Sequence, residues 1–113
     1  MNQITTHVLD VSLGRPAPNV PVIVERQDAQ GDWFEIGRGS TDVDGRVRDL
    51  AASAALCEGN YRLTFNTGAY FAARGIESLY PEIAIVFAVH KPQERYHIPL
   101  LLSPYGYSTY RGS

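Results

Sequence analysis

The sequence predicts an all-β protein: a β-sandwich of seven to eight short strands with one short helix. Three observations carry this expectation. Short segments rich in Val, Ile, Thr and aromatic side chains recur at regular spacing, which suits strands. Clusters of Gly, Pro, Asp and Asn between them end each regular element. Ala69–Arg74, followed by Gly75, is the one segment that reads as a helix with a glycine stop.

Taken in order, Ile4–Val11 is Thr- and Val-rich and predicts the first strand. Gly14–Asn19, with two prolines that restrict the backbone, breaks it. Val20–Glu25 and Trp33–Arg38 flank a turn at Asp28–Asp32 and make a hairpin. Asp42-Val43-Asp44-Gly45 is a second tight turn, leading into a strand at Arg46–Leu50. Its Asp-x-Asp-Gly pattern lacks the other ligands of a calcium loop, including the distal Glu. Ala51–Leu56 suits a helical turn or a loop equally. Tyr61–Thr67 alternates apolar and polar residues, so it is expected to be a half-buried strand. Ile83–Val89 is apolar on both faces and is expected to be a central strand. Tyr96–Leu102 and Tyr105–Tyr110 complete the set, separated by Ser103-Pro104.

The composition bounds what such a sandwich can be. A chain of 113 residues fits a single domain over residues 1–113 and is large enough to fold without staples. With 44% hydrophobic residues and a net charge of −2, it is neither disordered nor attracted to phosphate backbones. No nucleic-acid partner is therefore expected. Cys57 stands alone, which excludes an intrachain disulfide framework and a Cys-based zinc site. The opening residues lack a basic start, an apolar run and a cleavage site, so they do not read as a signal peptide. Ile83–Val89, the longest apolar stretch, falls far short of the ~20 residues a membrane span needs. A cytoplasmic protein without a membrane partner is the expectation.

Few residues can carry chemistry. A period of two places His7 with Thr5, Leu9 and Val11, and His97 with Arg95, Pro99 and Leu101. Each histidine shares its face with apolar residues, so alone it is read either as a structural residue or as an acid–base group. His90, beside Lys91-Pro92, fits a solvated strand end. No His-x-His or His-x-x-x-His spacing supports a zinc site. Cys57 is beside Glu58, which disfavours a reactive thiolate. Arg46, after Asp44-Gly45, is either a surface charge or a cation placed to stabilise an oxyanion or an acidic ring. Four of the seven tyrosines (Tyr96, Tyr105, Tyr107 and Tyr110) fall in the last eighteen residues. An aromatic run reaching Ser113 suggests an end that is tied down, with the Ser113 hydroxyl and α-carboxylate available to a site.

The segment Tyr96-His97-Ile98-Pro99-Leu100-Leu101-Leu102-Ser103-Pro104, together with Tyr110-Arg111-Gly112-Ser113, resembles the signature of the 5-hydroxyisourate hydrolases. These are the transthyretin-related enzymes of urate degradation in purine catabolism. The resemblance covers nearly the whole chain. Thr6–Asp10 with Gly14–Ala17 matches the opening motif. Thr41–Arg46 matches a Thr-Asn-x-Asp-Gly-Arg turn with Asp42 in place of Asn, and Tyr80–Ile83 a Phe-Pro-Glu-Ile with Tyr in place of Phe.

The resemblance implies a transthyretin-like sandwich assembled as a homotetramer, a dimer of dimers, with sites in clefts between the dimers. It implies catalytic positions at His7, Arg46, His97 and Ser113, with Tyr110, Arg111 and Gly112 around the substrate. It also implies a hydrolysis of 5-hydroxyisourate to 2-oxo-4-hydroxy-4-carboxy-5-ureidoimidazoline that uses neither metal nor cofactor. Such chemistry needs a base for water and a stabiliser for the oxyanion, and the residues leave open which histidine is the base. Two competing readings are a transthyretin-like carrier of an aromatic ligand and a generic extracellular sandwich module.

Overall fold

Alternation of side chains along each strand decides which face of the molecule that strand serves. The computed structural model of the protein describes residues 3–48, 50–51 and 55–113. Its strands are β1 (Ile4–Asp10), β2 (Arg15–Pro16), β3 (Pro21–Gln27), β4 (Trp33–Ser40) and β5 (Arg46–Val47), then β6 (Gly59–Phe65). A helix, α1 (Thr67–Ala73), precedes β7 (Ile83–Val89), β8 (Tyr96–Ser103) and β9 (Gly106–Thr109). One sheet runs β2-β1-β8-β9, with β5 also on β1, and the other runs β4-β3-β6-β7. All pairings are antiparallel except β1 with β8, which is parallel.

The core lies between the sheets. Ile4, Val8, Leu100 and Leu102 point inward from the first, and Val22, Val24, Leu63, Phe65 and Ile83 from the second. Each such side chain contributes about 1.5–3 kcal/mol relative to exposure. The inward face of β1 is Ile4, Thr6, Val8 and Asp10, so Thr5, His7 and Leu9 occupy the outer face, half-buried. The apolar company of His7 is thus not the core. On β1 two polar residues, Thr6 and Asp10, face the core instead, and both are satisfied. Thr6 Oγ1 donates to the Ile98 carbonyl at 2.7 Å. Asp10, fully buried, accepts from the Ser12 amide at 3.0 Å and from the Tyr70 hydroxyl at 2.7 Å.

That last bond ties α1 to the end of β1. Burial, together with the Asp10 carboxylate, pushes the Tyr70 phenol up to about 12. Tyr70→Phe removes a donor from a buried carboxylate and is expected to cost about 1.5–3 kcal/mol in urea denaturation. An unchanged midpoint would mean that Asp10 is held by Ser12 alone.

Several boundaries differ from the sequence expectation, each for a local reason. The helix begins at Thr67 because Asn66 caps it, its side chain accepting from the Ala69 amide at 3.1 Å. Arg15–Pro16, inside the expected breaker, pairs with β1 along the sheet edge, where a missing proline N–H costs no ladder bond. This short pairing, β2, has no counterpart among the eight expected segments and brings the count among the described residues to nine strands. The strand expected over Arg46–Leu50 is regular only at Arg46–Val47. Of the segment Ala51–Leu56, residues 52–54 lie outside the described ones.

β7 is an edge strand rather than a central one, bonded among the described residues to β6 alone. Its outer residues Ala84, Val86 and Ala88 are exposed, so its second apolar face is not covered by this chain's described residues. No helix among the described residues is long and apolar enough to cross a membrane.

Candidate active site

Three adjacent strands bring the candidate residues to one face. In the parallel β1–β8 ladder Thr5 is opposite His97, and His7 is opposite Pro99. On the other side of β1, His7 is opposite Arg46 of β5. Directly paired residues share a sheet face, so His7, Arg46, His97 and Thr5 all stand on the outer face of this sheet.

The turn before β5 sets the position of Arg46. Asp42 Oδ1 accepts from the amides of Asp44 and Arg46 at 2.9 and 3.0 Å. The Arg46 amide, ahead of the other contacts, holds the Asp42 carboxyl below the usual carboxylate range. Gly45 adopts φ +77°, and a Cβ there would meet the Val8 carbonyl oxygen at 2.4 Å. Only glycine allows the turn to lie this close to β1.

The last residues of the sequence close the other side. Thr109 Oγ1 donates to the Pro99 carbonyl at 2.7 Å, and the Gly112 amide donates to the His97 carbonyl at 2.8 Å. Arg111 extends away from this face. Its guanidinium sits 4.3 Å from the centre of the Tyr96 ring and donates to Glu94 at 3.1 Å and to the Arg95 carbonyl at 3.0 Å. Arg111 therefore anchors the tail, while its neighbour Gly112 lies against the His97 ring.

A cavity of about 400 Å³ opens between these elements, lined by His97, Arg46, Gly112 and Ser113 with Thr5, Arg48 and Arg95. His7 and Tyr110 are not among the lining residues. His7 stands beside Arg46, with its charge still felt at His97, and Tyr110 is exposed. Arg111 lines a separate depression with Phe87, Tyr96 and Glu94. Of the seven residues expected at the site, His97, Arg46, Gly112 and Ser113 thus converge on one cavity.

His97 is half-buried, and that burial holds its imidazole below the ordinary value of 6.5; the positive charges of Arg46, His7 and Arg95 add to the effect. Its Nδ1 is 2.9 Å from Thr5 Oγ1. The ring is therefore neutral at neutral pH and has one nitrogen engaged. Among the described residues no three His, Cys, Asp or Glu side chains converge to hold a metal ion.

Thr5, Arg48 and Arg95 were not singled out from the sequence. Each stands two residues from a singled-out one: Thr5 from His7, Arg48 from Arg46, Arg95 from His97. The period of two along a strand was the signal that could have found them.

The HIUase/Transthyretin family model matches residues 4–112. The chain belongs to that family. Within it, 5-hydroxyisourate hydrolase of Caulobacter vibrioides is 47% identical, with all of both chains covered. The solved structure of the Klebsiella pneumoniae 5-hydroxyisourate hydrolase superposes with a TM-score of 0.87 at 37% identity, covering 100% of each chain. Sea bream transthyretin in complex with thyroxine superposes with a TM-score of 0.91 at 32% identity, covering 97% of this chain and 94% of that one. Backbone likeness therefore does not separate a 5-hydroxyisourate hydrolase from a transthyretin that holds thyroxine. Side chains on the outer face must do so.

Proposed function

We propose that the protein hydrolyses 5-hydroxyisourate to 2-oxo-4-hydroxy-4-carboxy-5-ureidoimidazoline, a step of urate degradation, in the cytoplasm. The observation that carries the reading is the convergence of His97, Arg46 and Ser113 on one cavity, with His7 beside Arg46. A carrier fits the same backbone but leaves that set of groups without a use.

Neutral His97 accepts a proton from water through Nε2 as the water oxygen adds to a ring amide carbonyl. The Arg46 guanidinium stabilises the oxyanion that forms. The tetrahedral species collapses, the carbon–nitrogen bond breaks, and the proton passes to the departing nitrogen, with His7 as relay. Ser113 and Gly112, which line the cavity, position the ring. The residues form the base, the oxyanion donor and the relay without a metal ion.

The proposed working form is a homotetramer, a dimer of dimers. The cavity is open on an outer sheet face, and β7 leaves Val86 and its neighbours uncovered at a sheet edge. A second copy that covers the outer face would complete the site.

The test is decay of 5-hydroxyisourate, made freshly from urate by urate oxidase, in the presence of chelator. The protein is expected to accelerate it, with light scattering on the same sample giving four protomers. Decay at the buffer rate would refute the enzyme reading, and an active monomer would refute the interfacial site.

The pH dependence follows from His97. Its acid limb in kcat/KM is expected below pH 6.5, because burial and neighbouring cations disfavour the charged ring. Arg95→Gln removes one of those cations, so the limb is expected to move to higher pH. A limb that stays in place would exclude Arg95 from the electrostatics of the ring. The same shift acts on stability. The native state binds fewer protons than the unfolded chain, so stability falls as pH drops from 6.5 through the native His97 value.

A further inference from the structure

Thr5 is on the same outer face as His97, directly opposite it in the parallel ladder, with its hydroxyl oxygen 2.9 Å from Nδ1. The pairing of the strands sets this distance, and Thr5, branched at Cβ, has few rotamers by which to leave it. On its other edge the imidazole packs against the tail: a Cβ built at Gly112 would come within 2.5 Å of His97 Cδ2. Nδ1 is engaged by Thr5, so Nε2 is the ring nitrogen left for the cavity that His97 and Gly112 both line.

We propose that Thr5 is a positioning residue for His97: its hydroxyl accepts the Nδ1 proton and so leaves Nε2 unprotonated toward the cavity. This rests on His97 being the base of the reaction. A threonine hydroxyl can also donate. Only the accepting arrangement stays unchanged when Nε2 takes a proton from water, because the imidazolium must donate from Nδ1 as well. The polar groups then need no reorganisation during the step. A carboxylate in this position would select the same tautomer, but its charge would favour the protonated ring. The hydroxyl orients the ring while leaving it neutral. Thr5 has no other side-chain hydrogen bond among the described residues, so its own proton is free to point into the cavity it lines.

The experiment pairs Thr5→Val, which keeps the branched shape, with Thr5→Ser, which keeps the hydroxyl. Loss of an orienting partner is expected to lower kcat about 10–100-fold in Thr5→Val with KM little changed. Thr5→Ser is expected to stay near the parent. In ¹⁵N spectra of the unaltered protein at neutral pH, His97 is expected to be protonated at Nδ1 and unprotonated at Nε2, and in Thr5→Val to become a mixture. A proton on Nε2 in the unaltered protein would overturn the proposal without any variant. So would parental kcat in Thr5→Val, or an equal loss in Thr5→Ser. Failure of the underlying reading looks different: a His97 variant would then retain activity, whatever the Thr5 variants do.

Discussion

His97→Asn is expected to lower kcat about 10²–10⁴-fold, the range for loss of a positioned general base. Asparagine is close in size and can still hydrogen-bond to Thr5, but no nitrogen of its amide accepts a proton near neutrality. His97 is half-buried on the outer face, so the packed residues between the sheets are untouched. The melting temperature should therefore stay close to that of the parent. Stopped-flow loss of 5-hydroxyisourate gives the rate and calorimetry gives the stability. A variant with parental kcat would remove His97 from the proton transfer, leaving Arg46 and water to explain any acceleration. An unfolded variant would instead assign the ring to structure, one of the two readings its strand alone allows.

How far the sequence could lead is clear at this residue. Period-two alternation placed His97 with Pro99 and Leu101, and His7 with Leu9, on common faces, and those groupings hold. Alternation cannot say which of two faces looks into the core. β1 shows why: its core positions include Thr6 and Asp10, made acceptable by bonds to Ile98 and Tyr70 from residues far along the chain. Apolar pattern alone would have sent His7 inward. The same long-range blindness made β7 a central strand, since two apolar faces look alike whether this chain covers both or only one. The turns were readable because their chemistry is local, as at Asp42–Gly45. The sequence groups Tyr110, Arg111 and Gly112 around one substrate, whereas in the structure only Gly112 of the three lines the cavity. Alternation turns Arg111 to Tyr96 and Glu94 while its neighbour Gly112 faces His97, a separation that appears only once the tail is paired to β8.

That separation makes Gly112→Ala the second large effect. The backbone there is not in the left-handed region, so alanine is acceptable to the chain itself, and the obstacle is steric. Its Cβ would stand 2.5 Å from His97 Cδ2 and 3.2 Å from Pro99 Cγ. Pro99 is buried and fixed in its ring, so either the imidazole or the tail must move. The tail is held by the Arg111 stack and by the Gly112 amide bond to the His97 carbonyl. Whichever yields, the base is displaced relative to Ser113 and the substrate. A misplacement near 1 Å costs on the order of 10²-fold in rate, so kcat/KM is expected to fall by about that factor. Stability should change little, because the clash is at the edge of the sheet rather than in the core. Gly106→Ala is the matched control. A Cβ there meets only Ser103 Oγ at 3.7 Å, an ordinary contact, and activity should be retained. Removing Tyr110–Ser113 should cost at least as much as Gly112→Ala, since it takes away both the support of the ring and the Ser113 wall of the cavity. Equal, near-parental activity in the two alanine variants would break the coupling of tail to imidazole. An active truncation would take the tail out of the mechanism altogether.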